Sequence, residues 1–284
     1  MARGRGDHSG GSRGPLPRSV QVSKKLSWLL RHGAEKEGLK LDAQGYLNLQ
    51  DVLNNRNLRS LKVTFDEIVE AVRDNDKQRF TMIPRTAAGH ESTPPEMGGS
   101  KGLDGQTPLP STEPQDYLIR ANQGHSLKVE SEDLLKPITK DNMPEAAIHG
   151  TTHAAWPKIV ASGGLKTMGR NHVHFASGLP AGFKAIVDTP NGEGEVGGAA
   201  AAPVISGMRK SSTILMFLDV PKATGAGLGL WMSDNGVILT EGDEKGLVPL
   251  AYFKRVEDRT GQGILLQDGQ VIKEAPKSWT KGKG

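Results

Sequence analysis

The chain has 284 residues, 36% of them hydrophobic, and a mean hydropathy of −0.45, which together predict a water-soluble globular protein of one large or two modest domains. The absence of cysteine excludes disulfides, thiolate zinc sites and a cysteine nucleophile, and no apolar run is long enough to span a bilayer. A net charge of +4 and a pI of about 9.2 are compatible with a nucleic-acid partner but do not identify one.

The positive charge is concentrated at the two ends of the chain. Residues 1–18 and 271–284 each carry a net charge of +3, which leaves −2 for the rest. We therefore predict a disordered basic tail over residues 1–19 and a basic tail over residues 266–284, flanking a body that is not basic overall. The first segment also lacks the apolar stretch of a secretory signal. We expect an intracellular protein, cytoplasmic or nuclear or both, that does not contact a membrane.

Helix signals dominate from residue 20 to about residue 83. Leucines over residues 26–30 form an apolar stripe, which predicts a first helix that ends at residues 31–33. Asn48 is a suitable cap for a short second helix, and the spacing over residues 64–67 forms a capping box for a third. The pattern predicts three closely spaced helices.

Two strands follow these helices, over residues 79–83 and 117–121. Residues 84–115 between them are crowded with Pro, Gly, Ser and Thr and bury too little apolar surface to order themselves. We interpret this segment as an insertion within a hairpin. Three helices followed by a hairpin are typical of a winged helix, a frequent nucleic-acid module.

After residue 133 the pattern changes to short strands separated by glycine-rich turns. The predicted strands cover residues 146–150, 172–176, 213–220, 236–240 and 250–256. One helix is predicted near residues 152–162, and the low-complexity segment 190–203 is expected to be a flexible surface loop. The second half of the protein is therefore predicted to be rich in strands and poor in helices.

The sequence Arg31-His32-Gly33 places two cations at the predicted end of the first helix. The helix dipole favours cations there, so capping is one interpretation of the pair. Neighbouring helix positions point about 100° apart, and both side chains reach one anion only where the helix unwinds, which Gly33 permits.

Residues 120–126 form a second polar cluster. A strand that ends in Arg120 runs into a glycine turn rich in hydrogen-bonding side chains, among them His125 and Ser126. A plain hairpin turn rarely needs so many such groups. The alternative is a polar turn whose side chains bond to their own backbone.

Histidines mark two places in the strand-rich half. His149 precedes Gly150 and Thr151 between a short strand and a helix, where backbone amides are available to a ligand. His172 and His174 lie in one strand, and alternation sends both rings to one face. Zinc is conceivable there, but no third ligand is nearby, and packing or nucleotide contact is favoured.

Two remaining motifs are less specific. Arg209 precedes the most apolar strand of the chain, where a solvated arginine is the ordinary interpretation. The glycines of residues 225–229 lack the six-position spacing and the following helix of a dinucleotide-binding loop, so a Rossmann interpretation is set aside.

Six motifs, in this order, resemble the tRNA 2′-phosphotransferase family: LSWLLRHG (26–33), YLIRANQGHS (117–126), IHGT (148–151), RNHVHFA (170–176), SGMR (206–209) and NGVILT (235–240). The resemblance covers roughly residues 20–265, and IRANQGHS is its most specific part. It implies an α+β fold with a winged-helix-like, RNA-binding N-terminal lobe over residues 20–135. An ADP-ribosyltransferase-like, NAD-binding C-terminal lobe is implied over residues 136–265.

The resemblance implies a two-step reaction on RNA with an internal 2′-phosphate, the expected partner being spliced tRNA. First, the phosphate attacks the anomeric carbon of the nicotinamide ribose of NAD, so nicotinamide leaves and ADP-ribose becomes joined to the RNA. Then the ribose 2″-hydroxyl attacks that phosphate and releases RNA with a 2′-OH and ADP-ribose 1″,2″-cyclic phosphate. NAD is consumed as a co-substrate, and neither a metal nor an obligate protein partner is expected.

The resemblance also implies roles for individual residues. The implied catalytic positions are Arg31, His32, Arg120 and Arg209, and the implied RNA or phosphate contacts add His125 and Ser126. One guanidinium group can bind two phosphate oxygens at once, and it stays charged at any working pH. His32 is expected to donate a hydrogen bond or move a proton when the 2″-hydroxyl attacks. We expect these groups to meet in the cleft between the lobes.

The NAD contacts implied by the resemblance are His149, Gly150, Thr151, His172, His174 and Val237. Many ADP-ribosyltransferases carry a Glu late in the fold, where this chain has Val237. The difference is chemically intelligible because a phosphate nucleophile is already anionic. A carboxylate beside it is unnecessary and would repel it.

Two other functions remain open at this level. A non-catalytic RNA-binding winged-helix protein needs the helices and tails but not the histidines and all three arginines. An ADP-ribosyltransferase acting on proteins or on other nucleic-acid phosphates is the nearer alternative. Its protein-directed form is expected to carry a Glu near residue 237 and no set of phosphate-binding arginines.

Overall fold

The computed structural model describes residues 15–73, 77–85, 109–126, 135–179, 183, 208–209 and 211–280. Most of the predicted insertion and the whole predicted loop 190–203 lie outside these ranges, as do the outermost parts of both predicted tails. Within them, helices gather in the first part of the chain and strands in the second, as the sequence predicts. Residues 15–126 are the N-terminal region below and residues 135–280 the C-terminal region. No helix in the described ranges has the length and apolar character needed to cross a bilayer.

The N-terminal region packs short helices and a small antiparallel sheet around one apolar core. Its helices are α1 (Arg18–Trp28), α2 (Leu49–Asn54), α3 (Arg56–Arg59) and α4 (Phe65–Arg73). Its strands are β1 (Leu47–Asn48), β2 (Phe80–Pro84) and β3 (Tyr117–Ala121), in the order β1-β3-β2. The predicted caps are present: the Asn48 side chain accepts a hydrogen bond from the amide of Gln50 at 2.9 Å, and Thr64 and Glu67 form the capping box.

The first helix does not end as a regular α-helix. It continues into a π-helical turn, Leu29–Gly33, and both leucines of this turn are completely buried. Gly33 is required here because a Cβ at this position would lie 2.6 Å from ring atoms of Trp28. A π-turn changes the direction of the side chains that follow and is often found at functional sites. In this turn it sets the positions of Arg31 and His32.

The C-terminal region is built on a nine-stranded antiparallel sheet in the order β14-β13-β12-β8-β5-β7-β10-β9-β4. These strands are β4 (Lys136–Pro137), β5 (Ile148–Thr151), β7 (Val173–Ala176), β8 (Ile214–Leu218), β9 (Trp231–Met232), β10 (Val237–Thr240), β12 (Phe253–Asp258), β13 (Gly263–Gln267) and β14 (Gln270–Val271). A small second sheet pairs β6 (Gly164–Lys166) with β11 (Leu247–Pro249). The helices are α5 (Trp156–Ala161), α6 (Val220–Gly225) and α7 (Lys277–Thr280).

The large sheet opens near its centre. β5 and β7 pair only at Ile148 and Ala176, whereas β5 pairs with β8 along its whole length and β7 pairs with β10 along its whole length. Beyond that single pair the two central strands diverge. The sheet therefore consists of two well-paired halves joined at one end.

Two predicted boundaries differ from the structure. α1 begins at Arg18, inside the predicted first tail. The predicted second tail contains β14 and α7, and Trp279 of α7 stacks on His153 with ring centroids 4.0 Å apart. Tail composition concealed this packing because one aromatic side chain among lysines and glycine carries no periodic signal.

Candidate active site

Arg31 presents buried hydrogen-bond donors that have no partner among the described residues. Its Nε and Nη2 atoms are both buried and unpaired. Gly124, at φ 85°, lies beside the side chain of Arg31, and a Cβ at this position would be 3.7 Å from the Arg31 guanidinium. Burial, followed by the charges of Arg79 and Arg170, lowers the pKa of Arg31 to about 10. A buried cation without a counter-charge is costly, and an anion bound here would remove that cost.

His32 is held by the turn that follows β3. Its Nδ1 lies 2.8 Å from Oγ of Ser126, and the amide of Ser126 donates to the carbonyl of Arg31 at 3.0 Å. Desolvation, followed by the charges of Arg31 and Arg170, lowers the pKa of His32 below its ordinary value. The imidazole is therefore neutral near pH 7 and able to accept a proton.

His125 is buried at the junction of the two regions. Its carbonyl accepts a hydrogen bond from the amide of Asn171 at 3.1 Å, and its Nε2 has no partner among the described residues. Burial, helped by the charges of Arg31 and Arg120, lowers the pKa of His125 to about 3. It therefore adds a neutral ring beside the cations rather than another positive charge.

Arg120 forms an ion pair within the protein, whereas the resemblance implied a contact with phosphate. Its Nη2 lies 2.7 Å from Oδ2 of Asp234 in a largely buried ion pair, and its Nη1 donates to the carbonyl of Gln44 at 3.2 Å. The guanidinium also lies over the ring of Tyr46, 4.7 Å from its centroid. In this structure Arg120 therefore joins the two regions, and only its Nε is left without a partner.

Arg170 is a site residue that the sequence motifs contained but did not single out. It follows Gly169, whose φ of 80° turns the chain just before β7. Its charge lowers the pKa of Arg31, His32 and His174, so it lies within electrostatic range of all three. Its position in a polar turn gave no signal of this role because the turn is distant in sequence from the Arg31 helix.

Arg209 connects this group of cations with the central strands. Its charge lowers the pKa of Arg170 and also that of His149. The charged groups that shift the pKa values of Arg31, His32 and Arg170 are all cationic. Arg31, Arg170 and Arg209 therefore form a cationic field that attracts anions, in which Arg170 acts on Arg31 and His32, and Arg209 acts on Arg170.

The packing around Gly150 explains how Arg209 is positioned. A Cβ on Gly150 would lie 2.5 Å from Cγ of Met208 and from Oγ of Ser212. The missing side chain therefore leaves room for Met208 and Ser212 against β5. A direct ligand contact of Gly150 stays a prediction. Thr151 is the end of the same strand, and its carbonyl accepts from the amide of Thr213 at 2.9 Å.

His149 lies at the opening between β5 and β7. Its Nδ1 donates to the carbonyl of His174 at 2.8 Å, which fixes the neutral tautomer, and its ring meets the edge of Phe175 with centroids 5.9 Å apart. Burial is the main cause of its lowered pKa. His149 therefore bridges the two strands where their backbone pairing has ended.

The two strand histidines share one face, as alternation predicts, because Val173 and Phe175 both belong to the main core on the other face. Nε2 of His174 is buried without a partner among the described residues, and burial lowers the pKa of His174 to about 3. Nε2 of His172 lies 3.6 Å from the carboxylate of Glu241. Desolvation lowers the pKa of His172 and this carboxylate opposes the shift.

Val237 does not line an open site. It is completely buried and packs with Leu135, Leu239 and Trp231 in a small apolar cluster. Its pairing with Ala176 places it on the same sheet face as His174. In the described ranges, no group of three or more histidines and carboxylates is positioned to hold a metal ion.

Comparisons with known proteins agree on one family. Residues 17–242 match the model of the RNA 2′-phosphotransferase, Tpt1 / KptA family. The chain is 36% identical to tRNA 2′-phosphotransferase 1 of Danio rerio, over 90% of this chain and 92% of that protein. It is 36% identical to tRNA 2′-phosphotransferase 1 of Homo sapiens, over 87% and 80% of the two chains, and 37% identical to tRNA 2′-phosphotransferase of Saccharomyces cerevisiae, over 71% and 69%.

The chain belongs to the RNA 2′-phosphotransferase family. The resemblance seen in the six motifs is thereby confirmed, and the protein is a transferase. The matched range contains every residue of the cationic field and both central strands. It ends at residue 242, before β12, although β12 pairs along β8 within the same sheet.

Proposed function

We propose that this chain removes the internal 2′-phosphate from spliced tRNA by transferring it to NAD. The observation that carries the proposal is the pair of buried donor atoms of Arg31, which have no partner among the described residues and lie within electrostatic range of Arg79 and Arg170. A phosphate monoester is doubly charged near neutral pH and offers several acceptor oxygens, so it matches both the charge and the donors.

We further propose that the two regions correspond to the lobes implied by the family. Helices followed by the sheet β1-β3-β2 fit a winged-helix-like RNA-binding lobe over residues 20–135. The opening between β5 and β7 fits an ADP-ribosyltransferase-like nucleotide site in a lobe over residues 136–265. The cationic field at their junction supports a phosphate site between the two lobes.

The charge state of each residue determines its role in the proposed reaction. Arg31 and Arg209, aided by Arg170, hold the phosphate oxygens and neutralise charge that accumulates on the phosphorus centre. His32 is neutral near pH 7, so it accepts a proton from an attacking hydroxyl, and Ser126 fixes its ring. Arg120 contributes by its ion pair with Asp234, and its buried Nε is a further donor without a partner among the described residues.

The opening between β5 and β7 offers groups that fit NAD. Nε2 of His174 is an unpaired buried nitrogen, and His149 and His172 add ring edges beside it. Thr151 supplies a hydroxyl at the end of β5. NAD supplies the acceptor, since its nicotinamide is released and ADP-ribose carries away the phosphate. The burial of Val237 in an apolar cluster is consistent with a site that needs no carboxylate at this point.

The proposal is tested with an oligonucleotide that carries one radiolabelled internal 2′-phosphate. We expect the label to leave the RNA only when NAD is present and to appear on an ADP-ribose product, with one nicotinamide released per phosphate. An identical oligonucleotide with a 2′-OH is the control for NAD hydrolysis without transfer. Release without NAD, or transfer of ADP-ribose to protein instead, would refute the proposal.

A further inference from the structure

A groove with a volume of about 920 Å³ runs along the exposed face of α1 and reaches Arg31 and His32. From α1 it is lined by residues at helical spacing, including Lys24, Ser27 and Trp28. Lys77 and Arg79, which precede β2, line it from the other side. The groove therefore leads away from the proposed phosphate site along the N-terminal region.

Trp28 gives the groove a fixed aromatic surface. It is one of the few large apolar side chains exposed in the described ranges, with 38% of its surface accessible. Its ring is pressed against the backbone of Gly33, where a Cβ would approach to 2.6 Å. The ring is therefore held in place on one side and presented to the groove on another. It lies three residues before Arg31, or about 4.5 Å along a helix axis.

The groove is basic although the body of the protein is not. Its charged lining consists of Arg18, Lys24, Arg31, Lys77 and Arg79 against Glu67 and Glu70. One of those carboxylates, Glu67, is already paired with Arg18 at 2.7 Å. Apart from that pair, the lining holds Lys24, Arg31, Lys77 and Arg79 against Glu70, and Arg79 lies within electrostatic range of Arg31. This excess of positive charge attracts a polyanion.

We propose that this groove binds the RNA nucleotide next to the 2′-phosphate, with its base stacked on Trp28 and its backbone phosphate held by Lys24, Lys77 and Arg79. The proposal rests on the proposed function, because it places the 2′-phosphate itself at Arg31. Exposed aromatic rings beside cations are how proteins hold unpaired nucleotides without reading their sequence. An acidic peptide would use the cations but would have no need of the ring.

The role of the Trp28 ring is tested by measuring RNA binding in the absence of NAD, so that no turnover occurs. A fluorescently labelled RNA oligonucleotide with one internal 2′-phosphate is titrated with wild type, Trp28→Ala and Trp28→Phe. Stacking on one aromatic side chain predicts affinity about 10-fold lower for Trp28→Ala, with most of the loss recovered by Trp28→Phe. The difference between wild type and Trp28→Ala should vanish on an oligonucleotide whose flanking nucleotides lack bases.

The role of the groove cations in RNA binding is tested with a matched pair of lysines on one helix. Lys24 and Lys25 are both exposed on α1, but only Lys24 lines the groove. Lys24→Glu and Lys25→Glu make the same charge change, so we expect affinity several-fold lower for Lys24→Glu, with a weaker salt dependence, and little change for Lys25→Glu. Thermal unfolding of each variant checks that the helix remains folded.

The outcomes separate this proposal from the function on which it rests. Equal RNA affinity for wild type, Trp28→Ala and Lys24→Glu overturns the groove, even if wild type releases phosphate normally. Loss of affinity in Lys24→Glu alone indicates a charged surface without base stacking, as an acidic partner would use, and also overturns it. A wild-type protein that binds RNA through Trp28 but releases no phosphate refutes the function and leaves the groove supported.

Discussion

The turn at Arg31 and the junction at Arg120 contain similar groups in opposite situations. Both guanidiniums are largely buried, yet Arg31 has two donor atoms without a partner in the described part of the chain, while Arg120 pairs with Asp234 at 2.7 Å. A buried cation that the fold leaves unpaired is adapted to an external anion, whereas a paired one stabilises the fold. The sequence motifs imply the same phosphate-binding role for both arginines, but their surroundings in the structure differ.

The largest effect is expected at the unpaired cation. Arg31→Gln keeps a polar side chain but removes the charge, and we expect phosphate release to fall by about 1000-fold because one charged donor to the phosphate is lost. The free energy of unfolding should not decrease, since the substitution removes an uncompensated buried charge. Single-turnover release and urea unfolding on the same preparation test both statements.

Substantial activity in Arg31→Gln would show that the phosphate binds elsewhere. A marked loss of stability would show that Arg31 has a structural partner. Arg31→Lys is the matched variant: it keeps the charge but not the paired donors, so intermediate activity is expected.

At the junction the expected effect is on stability. Asp234→Ala leaves Arg120 buried without its counter-charge, and we expect the free energy of unfolding to fall by about 3 kcal/mol. The double variant Asp234→Ala with Arg120→Met should recover part of this loss, because the isolated cation is then also removed. Urea unfolding of wild type, Asp234→Ala, Arg120→Met and the double variant measures the coupling, and unchanged stability in Asp234→Ala would contradict the role of the ion pair.

Acid should destabilise the site through its buried neutral histidines. The pKa values of His125 and His174 fall to about 3, below the ordinary value of 6.5, so both protonate more readily when unfolded. Their contribution is complete above pH 6.5 and is lost as the pH falls from there towards 3. We expect a loss of about 2 kcal/mol per histidine between pH 7.5 and pH 5.

Urea unfolding at the two pH values, in wild type and in His125→Asn, measures this slope. The variant has no titrating group at position 125, so its stability should fall by about 2 kcal/mol less than that of wild type. An equal slope in both proteins would show that His125 is protonated in the native state.

The smallest effect is expected for an arginine that is paired and exposed. Arg56 lies 2.7 Å from Glu37, and 80% of its side chain is accessible to solvent, although that of Glu37 is only 7% accessible. Asn55 also donates to Glu37, so the carboxylate keeps a partner without Arg56. Water and salt weaken such a pair. Arg56→Ala should therefore leave both the urea midpoint and phosphate release unchanged, and a clear change in either would remove the distinction between buried and exposed pairs.

Local signals in the sequence were sufficient for much of the fold. The caps at Asn48 and Thr64 were predicted from the sequence, and so was the shared sheet face of His172 and His174. Capping and strand alternation depend on neighbouring residues alone. Strands of two or three residues, such as β4 and β9, were missed because they are too short to show alternation.

The site itself was only partly predictable. Arg31, His32 and Arg209 were singled out; Arg31 and His32 lie within electrostatic range of each other, and Arg209 acts on Arg170. Their joint role at a phosphate stays a prediction. Arg170 and Asp234 were missed because their importance comes from contacts over long sequence separations. The pair that Arg120 makes with Asp234 spans 114 positions, and no spacing rule reports such a contact.

The central claim is that the unpaired guanidinium of Arg31 is the binding site for the 2′-phosphate. It is tested most directly by measuring, without NAD, the affinities of wild type and Arg31→Gln for two oligonucleotides that differ only in one internal 2′-phosphate. We predict that wild type prefers the phosphorylated RNA by about 100-fold, since charge-assisted hydrogen bonds add 1.5 to 3 kcal/mol each, roughly. Arg31→Gln should lose most of this preference. Equal affinity of wild type for the two oligonucleotides, or a preference that survives in Arg31→Gln, would contradict the claim.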